Sequence, residues 1–342
     1  MLEKILSVYG LNPNEITVTP FGDGLINHTW KVSGNTRSYI FQKVNTSVFK
    51  LPQAIDENVN SIKTYLSGKF PNYLFISPIK ATTGGSLYQD NGDYYRLFPF
   101  AEGSHSLNYL ENEDEAYEAA RQFGKFSKLL SGFNTKQLNI TIPDFHNLSL
   151  RYEQFVAACS GASDERLKHG ADYINFLIRH KDIVDTYISI SQNPQIPLRV
   201  IHHDTKINNV LFDDHKKGLC VIDLDTVMPG YFISDVGDMM RTYLSEASEE
   251  ETDLSKIKIR KEFYQAIFNG YMKEMNEVLT DAEKQYFTYS GKFIIYMQAI
   301  RFLTDYLEND KYYGAKYEEH NLNRAINQIT LLKEYLKLED EL

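Results

Sequence analysis

The chain has only two cysteines in 342 residues, Cys159 and Cys220, and they form no Cys-x-x-Cys pair. That leaves neither a disulfide framework nor a thiolate zinc site, and it fits a reducing compartment. No apolar run approaches the roughly 20 residues that a membrane-spanning helix needs. Met1–Gly10 is too short and too broken by charge for a signal peptide. A cytoplasmic protein with no membrane partner is expected. Positive charge is scarce as well: 36 Lys and Arg stand against 46 Asp and Glu, a formal net charge of −10. A general nucleic-acid binder would present a basic face, so no nucleic-acid partner is expected. Internal repeats and low-complexity tracts are absent. So are three catalytic signatures. There is no G-x-x-x-x-G-K-[ST], because the Gly-Lys pairs at Gly68, Gly124 and Gly291 are each followed by Phe. Neither G-x-S-x-G nor H-E-x-x-H occurs.

What remains is ordinary for a folded protein, with 42% hydrophobic and 24% charged residues. The length suits two packed lobes. The chain is organised around residues 200–238. Val200–Asp214 reads V-I-H-H-D-T-K-I-N-N-V-L-F-D-D, Val221–Gly230 reads V-I-D-L-D-T-V-M-P-G, and S-D-V-G-D follows at Ser234–Asp238. His202-x-Asp204-x-Lys206-x-x-Asn209 has the spacing of a kinase catalytic loop. Transfer of a phosphoryl group from Mg-ATP needs a carboxylate to accept the proton of the attacking hydroxyl. It also needs an amide and a second carboxylate to hold the metal. Asp204 fits the first role, and Asn209 with Asp223 the second. Asp223 sits among Val221, Ile222 and Leu224, as a metal carboxylate at the end of a buried strand should. Lys206 can sit against the transferring phosphate. His202 and His203 are adjacent, which is poor spacing for two ligands of one metal. His202 reads better as a buried residue that holds the loop.

Before that stretch, alternation and β-branched or aromatic residues predict strands from Ile16 to Val44 after a short helix at residues 3–10. Gly22-x-Gly24-x-x-Asn27 has two functional readings. A Rossmann loop needs a helix next. The strand-like run that follows favours a strand-turn-strand flap over phosphates instead, and a plain hairpin stays open. The following strand should carry the cation for the α/β-phosphates, and the candidates are Gln42 and Lys43, on opposite faces. Asp56 and Glu57, on a predicted helix at 52–67, are possible partners for it or plain surface acids. Asn91-Gly92 predicts a hairpin between Ser86–Asp90 and Tyr94–Phe98. Phe98-Pro99-Phe100 suits either a hinge whose backbone pairs with adenine or an ordinary loop.

Helical periodicity takes over from about residue 112. It predicts helices at Glu113–Phe133, Leu150–Ala158, Ala171–Ser191, Lys256–Val278, Ala282–Asn309 and Asn321–Leu338. Asp235 and Asp238 either brace the catalytic loop or cap a helix. The acidic run Ser245–Asp253 reads as a solvated loop rather than an attractor for a cationic substrate. Arg301 lies in the apolar run Ile294–Leu303, either lining a pocket or pairing with Asp305 at i+4.

The H-x-D-x-K-x-x-N loop, the I-D-x-D strand and the strand-rich beginning resemble the aminoglycoside phosphotransferase/choline kinase superfamily. Three longer segments narrow the resemblance. They are F-G-D-G-L-I-N-H-T-W at Phe21–Trp30, the central stretch with D-T-V-M-P-G, and R-F-L-T-D-Y-L-E-N-D-K-Y-Y at Arg301–Tyr313. Together they are similar to the N-acetylhexosamine 1-kinases, over roughly residues 16–332. The resemblance implies an α+β, two-lobed protein-kinase-like fold. A small antiparallel-sheet N-lobe would occupy residues 1–100, and a larger, mainly helical C-lobe residues 101–342. It implies ATP and Mg2+ as cofactors, with a small-molecule sugar as the other partner of a monomer or weak homodimer. Asp204 would be the base assisted by Lys206, and Asn209 and Asp223 the metal ligands. Gly22, Gly24, Gln42, Lys43, Phe98 and Phe100 would contact the nucleotide. Asn27, His28, Asp225, Arg301 and Tyr312 would line the sugar pocket. Leu25 departs from the pattern, which has a sugar-facing His there. The alternatives are a kinase of an amino alcohol, an aminoglycoside or another sugar, or a regulatory nucleotide-binding protein. A protein kinase is disfavoured, because I-D-L-D replaces D-F-G and the short span from Asp225 to Asp235 leaves no room for an activation loop.

Overall fold

The structure is a computed structural model that describes residues 2–22, 26–339 and 341. Gly24 and Leu25 lie outside the described residues. In chain order the strands are β1 (Ile16–Pro20), β2 (His28–Gly34), β3 (Ser38–Val44), β4 (Leu87–Asp90), β5 (Asp93–Pro99), β6 (Ser104–His105), β7 (Arg199–Ile201), β8 (Val210–Asp213), β9 (Gly218–Val221) and β10 (Met228–Gly230). The helices begin with α1 (Leu2–Val8), α2 (Pro52–Lys69), α3 (Glu113–Leu129), α4 (Leu148–Gly161), α5 (Asp164–Arg179) and α6 (Asp182–Gln192). They continue with α7 (Ile233–Tyr243), α8 (Lys261–Met275), the single turn α9 (Asp281–Lys284), α10 (Tyr289–Leu307) and α11 (His320–Glu339). The fold is α+β, a small antiparallel sheet followed by a larger helical part.

Contacts divide the chain into two compact units. The first is discontinuous: Met1–Ser106, Gly132–Pro143 and Val210–Pro229. Its sheet runs β1-β2-β3-β5-β4, antiparallel throughout. The apolar residues of α1 and one sheet face close over a core of Ile5, Leu6, Val32, Phe41, Tyr95 and Leu97. Phe41 and Tyr95 stack there with ring centroids 5.6 Å apart. β4 and β5 are joined where the sequence placed a tight turn, with positive φ at both Asn91 and Gly92, as such hairpins require. The turn after β1 leads into β2, not into a helix, and Phe21 N–H donates to Thr29 O across it. That excludes the Rossmann reading. α2 starts on Pro52 at its first turn and buries Ile55, Val59, Ile62 and Leu66. On the same helix, buried Asn58 donates to the carbonyls of Asn139 and Val227. It thereby fixes the segment just beyond Asp225. β8 and β9 form a hairpin with a register shift at Leu211/Phe212.

The second unit comprises Leu107–Ser131, Asp144–Asn209 and Gly230–Leu342. α10 runs through its centre, buried along most of its length. α7 crosses α10 closely at Gly237. A Cβ there would lie 2.2 Å from the Ser290 carbonyl oxygen and 2.6 Å from Ile294 Cγ1. Backbone cannot yield as a flexible side-chain tip can, so Gly237→Ala forces the helices apart. It is expected to cost about 3 kcal/mol and lower the unfolding midpoint by roughly 5 °C or more. An unchanged midpoint would refute so close a crossing.

Two predicted helices are each two. Ala171–Ser191 is broken between α5 and α6, because His180 N–H turns back to the Phe176 and Leu177 carbonyls and closes α5. Ala282–Asn309 is split into α9 and α10. A capping box of Thr280 and Glu283 starts a single turn there, and Arg199 holds the Glu283 carboxylate at 2.7 Å.

Candidate active site

In the second unit, β7 delivers the chain into the loop His202–Asn209. His202 is fully buried, its ring edge-on to Phe123 at 5.2 Å. The Asp204 N–H points at its Nδ1, 3.4 Å away. His203 adopts a positive φ of 66°, a strained backbone for such a residue. The strain is held from α7. Asp235 accepts the N–H of His202 at 3.0 Å on one oxygen and that of His203 at 2.7 Å on the other. One turn further along the same helix face, Asp238 accepts the Thr205 N–H at 2.8 Å. Tyr243 donates its hydroxyl to Thr205 O at 2.7 Å. S-D-V-G-D is therefore a brace, with both carboxylates turned onto the loop backbone.

That brace presents Asp204. Its carboxylate lies 2.9 Å from Lys206 Nζ. The Asn209 amide donates to its main-chain oxygen at 2.9 Å and to its side chain at 3.2 Å. Burial pushes the Asp204 carboxyl up, but the charge and hydrogen bond of Lys206 outweigh it and hold the group below the usual carboxylate range. An ionised carboxylate beside an ammonium can accept a hydroxyl proton and keep the local charge balanced. Asn209 has committed its N–H groups to Asp204, so its Oδ1 is left as the oxygen that can face a cation.

In the first unit, β9 ends just before Asp223, which takes a left-handed backbone (φ 59°, ψ 61°). Asp225 follows in a short 3-10 turn, 3% exposed. Both its oxygens are engaged. Arg96 approaches with Nη1 at 2.5 Å and Nη2 at 2.8 Å, and Asn27 Nδ2 donates at 2.8 Å. The sequence reading placed Asp225 in the sugar pocket and missed Arg96 altogether. The one available signal was an arginine within the aromatic run of the second hairpin strand. Gln42 Oε1 accepts from Arg96 Nε and Nη2 at 3.0 and 2.8 Å. Lys43 points away and pairs with half-exposed Asp93 at 2.6 Å. Asp56 is bound to Ser86 and Asn60, and Glu57 to Asn139. Gly22 has φ 75° at the entry to the turn. Exposed His28 stacks on Trp30. Phe98 lies under the Arg96 guanidinium at 5.1 Å, and Lys31 Nζ sits 4.1 Å over Phe100.

A cavity of about 250 Å3 opens in the second unit, lined by Arg151, Gln154, Arg301, Thr304, Tyr312 and Tyr313 among others. The expected alternative for Arg301, an ion pair with Asp305, is not formed. Asp305 instead accepts the N–H groups of Tyr312 at 2.6 Å and Tyr313 at 2.9 Å, and it also holds Asn321. Arg301 rests on Gln298 and lies 5.9 and 5.5 Å from the Tyr312 and Tyr313 rings. Half-buried His146, with its Nδ1 enclosed, packs against the loop. Its ring packs on His203 at 5.3 Å. Burial first, then His203 and Arg301, keep it well below its ordinary pKa and hence neutral.

The acidic run is not simply solvated. Glu249 binds Arg324 and, at 3.1 Å, Arg241, which in turn holds Asp238 at 3.1 Å. Glu250 binds His320 at 2.7 Å. Arg241 lies eight residues before Glu249, but Arg324 and His320 come from α11, distant in sequence, and a local charge count cannot find them.

A sequence model of the phosphotransferase enzyme family (APH) matches residues 17–271. Solved structures share the fold at low identity. The microcompartment-associated aminopropanol kinase has a TM-score of 0.66 at 14% identity, covering 99% of this chain and 97% of that one. A choline/ethanolamine kinase family protein from Mesorhizobium loti has a TM-score of 0.60 at 13% identity, covering 98% and 94%. The spectinomycin phosphotransferase APH(9)-Ia, in complex with ADP and spectinomycin, has a TM-score of 0.56 at 15% identity, covering 99% and 97%.

Proposed function

Because the chain belongs to the phosphotransferase enzyme family, we propose that it transfers the γ-phosphoryl group of ATP to the anomeric hydroxyl of an N-acetylhexosamine, giving the sugar 1-phosphate. The observation that carries the sugar assignment is the cavity where Arg301 and Tyr312 meet. Its volume of about 250 Å3 suits a single sugar ring. A neutral polyol is held by fixed donors and acceptors, and Arg301, with no ion pair among the described residues, offers donors in a fixed fork. Two carboxylates also line the cavity: Asp305, occupied by backbone N–H groups, and exposed Glu308, which an amine acceptor could meet, so amines belong among the acceptors to be tested.

Asp204 would take the proton of the acceptor hydroxyl, and Lys206 would steady the charge. Asn209 Oδ1 and Asp223 would hold Mg2+. This donor set fits the ion, which prefers oxygen ligands and takes one or two protein groups with phosphates and water completing its shell. Such a site needs no group of three or more His, Cys, Asp or Glu side chains placed to hold a metal ion, and none is found among the described residues. When bound, the metal supplies charge neutralisation for the phosphates. The protein's own part is positioning, which the doubly anchored loop supplies. Gly22, Gly24, Phe98 and Phe100 would flank the nucleotide, and the ADP complex of the spectinomycin enzyme supports nucleotide use. Asn27 and His28 would approach the sugar from the glycine turn.

The test is ADP release with Mg-ATP against N-acetylglucosamine, N-acetylgalactosamine, the unacetylated hexoses, choline, aminopropanol and spectinomycin. Turnover on the N-acetylated sugars, with a phosphomonoester at the reducing end, is expected. Turnover confined to the amines would replace this substrate class with that one. Arg301→Ala is expected to raise KM for the sugar at least tenfold and leave KM for ATP within twofold. Equal effects on both would remove Arg301 from the pocket.

A further inference from the structure

β3 does not supply the buried cation that its place in the fold calls for. Lys43 is at the surface on Asp93, and Gln42 is neutral. The cation on that face comes from the neighbouring strand. Arg96 of β5 stands directly opposite Gln42 in the antiparallel register, so both side chains leave the same face of the sheet. We propose that Arg96 is the positioning residue of the metal segment Asp223–Asp225, acting from β5 in the place of a strand lysine on β3.

The side chain of Arg96 is 5% exposed, and that of Asp225 is 4% exposed. A charge so buried must be paired and its N–H groups satisfied. The guanidinium meets these needs in a planar arrangement. One edge spans both oxygens of Asp225, and Nε and Nη2 converge on Gln42 Oε1. A lysine at position 42 would repel this guanidinium, whereas a glutamine there carries it. The two-point pairing fixes the plane of the Asp225 carboxylate as well as its distance. Asp225 lies in the short 3-10 turn that Asp223 precedes with a left-handed backbone. Anchoring Asp225 therefore anchors the turn at whose start Asp223 stands. Asp223 and Asp56 also lie within the field of the guanidinium. Asn27 joins on Asp225 and accepts the Asn45 N–H at 3.0 Å. One network thus connects the glycine turn, β3, β5 and the metal segment.

This inference rests on reading Asp223 as a metal ligand, and its test needs no acceptor. A wrong sugar therefore leaves it intact. Calorimetry would compare ADP binding with and without Mg2+ for the wild type, Arg96→Lys and Gln42→Leu. Lysine keeps the charge and loses the fork. Disturbing a partner of a metal-holding group commonly costs about 10–100-fold in metal-linked affinity. Arg96→Lys is expected to weaken Mg-ADP at least tenfold and to change metal-free ADP less than twofold. Gln42→Leu, which keeps the ion pair, is expected to weaken Mg-ADP severalfold. Mg-ADP affinity within twofold of wild type in a cooperatively folded Arg96→Lys would overturn the proposal. So would an unchanged Gln42→Leu if the lysine variant does not fold. Equal loss with and without Mg2+ would also overturn it, by making Arg96 a general support of the sheet.

Discussion

Asp204→Asn is expected to bind Mg-ATP normally and to lose about 10²–10⁴-fold in kcat, the range for removing a positioned general base. Asparagine keeps the shape of aspartate, and the brace from Asp235 and Asp238 makes no contact with the Asp204 side chain in its hydrogen bonds to the loop, so it is untouched. What goes is the acceptor for the hydroxyl proton and the negative charge opposite Lys206. The ammonium is left without its carboxylate, and the Asn209 amide loses one of its two acceptors. The measurement is kcat at saturating ATP and acceptor, with nucleotide affinity taken separately. Near-normal turnover would remove Asp204 as the base. A fall in nucleotide affinity matching the fall in kcat would assign it to metal binding instead.

Asp235→Asn is expected to be nearly as severe through a different cause. Both oxygens of Asp235 accept backbone N–H groups from inside the protein. An amide presents one oxygen and one NH2, so either His202 or His203 loses its partner and meets a second donor. A buried N–H without an acceptor costs about 1–3 kcal/mol, and at His203 it releases a backbone that is strained without that bond. We expect kcat to fall at least 100-fold and stability to fall with it. Full activity in this variant would mean that the loop holds itself.

The same residue gives the enzyme a pH dependence. Burial above all pushes the Asp235 carboxyl up to about 7, against the two backbone hydrogen bonds that favour its anion. A raised carboxyl stabilises the folded state fully below the ordinary carboxylate range. That contribution is lost as pH rises through about 7, because the unfolded chain then sheds a proton that the folded chain retains. The slope is at most about 1.4 kcal/mol per pH unit. Catalysis runs the other way, since the anion is the form that accepts both N–H groups. The unfolding midpoint should therefore decline from about pH 4 to about pH 7 and level off above it, while activity climbs between about pH 6 and 8. An activity profile flat across that interval would separate the brace from catalysis.

The sheet, the Asn91-Gly92 hairpin and the run of helices were legible because each is written locally, in alternation, turn residues or a 3.6-residue period. The loop was legible for a related reason: Asp204, Lys206 and Asn209 lie within six positions, and their spacing carries their geometry. Arg96 was not. Its partners Gln42 and Asp225 are scattered over the sequence, and Gln42 meets it only because β3 and β5 pair in one register. Strand lysine chemistry pointed at β3, and only the register shows that the buried cation sits one strand over. Glu249 and Asp305 failed in the same way. Local charge suggested a solvated loop and an i+4 pair, while Glu249 is met by arginines of α7 and α11, and Asp305 by backbone N–H groups of the loop after its own helix and by Asn321 of α11. The double role of S-D-V-G-D fell between these cases. Its spacing announced one helix face, but not which backbone that face would hold.

Arg324 belongs to α11. It closes a series that runs from Glu249 to Arg241 and Asp238, and from there to the N–H of Thr205 beside the catalytic aspartate. Arg324 stands far from the loop in sequence, so a substitution on α11 can loosen the loop without altering any residue near it in the chain.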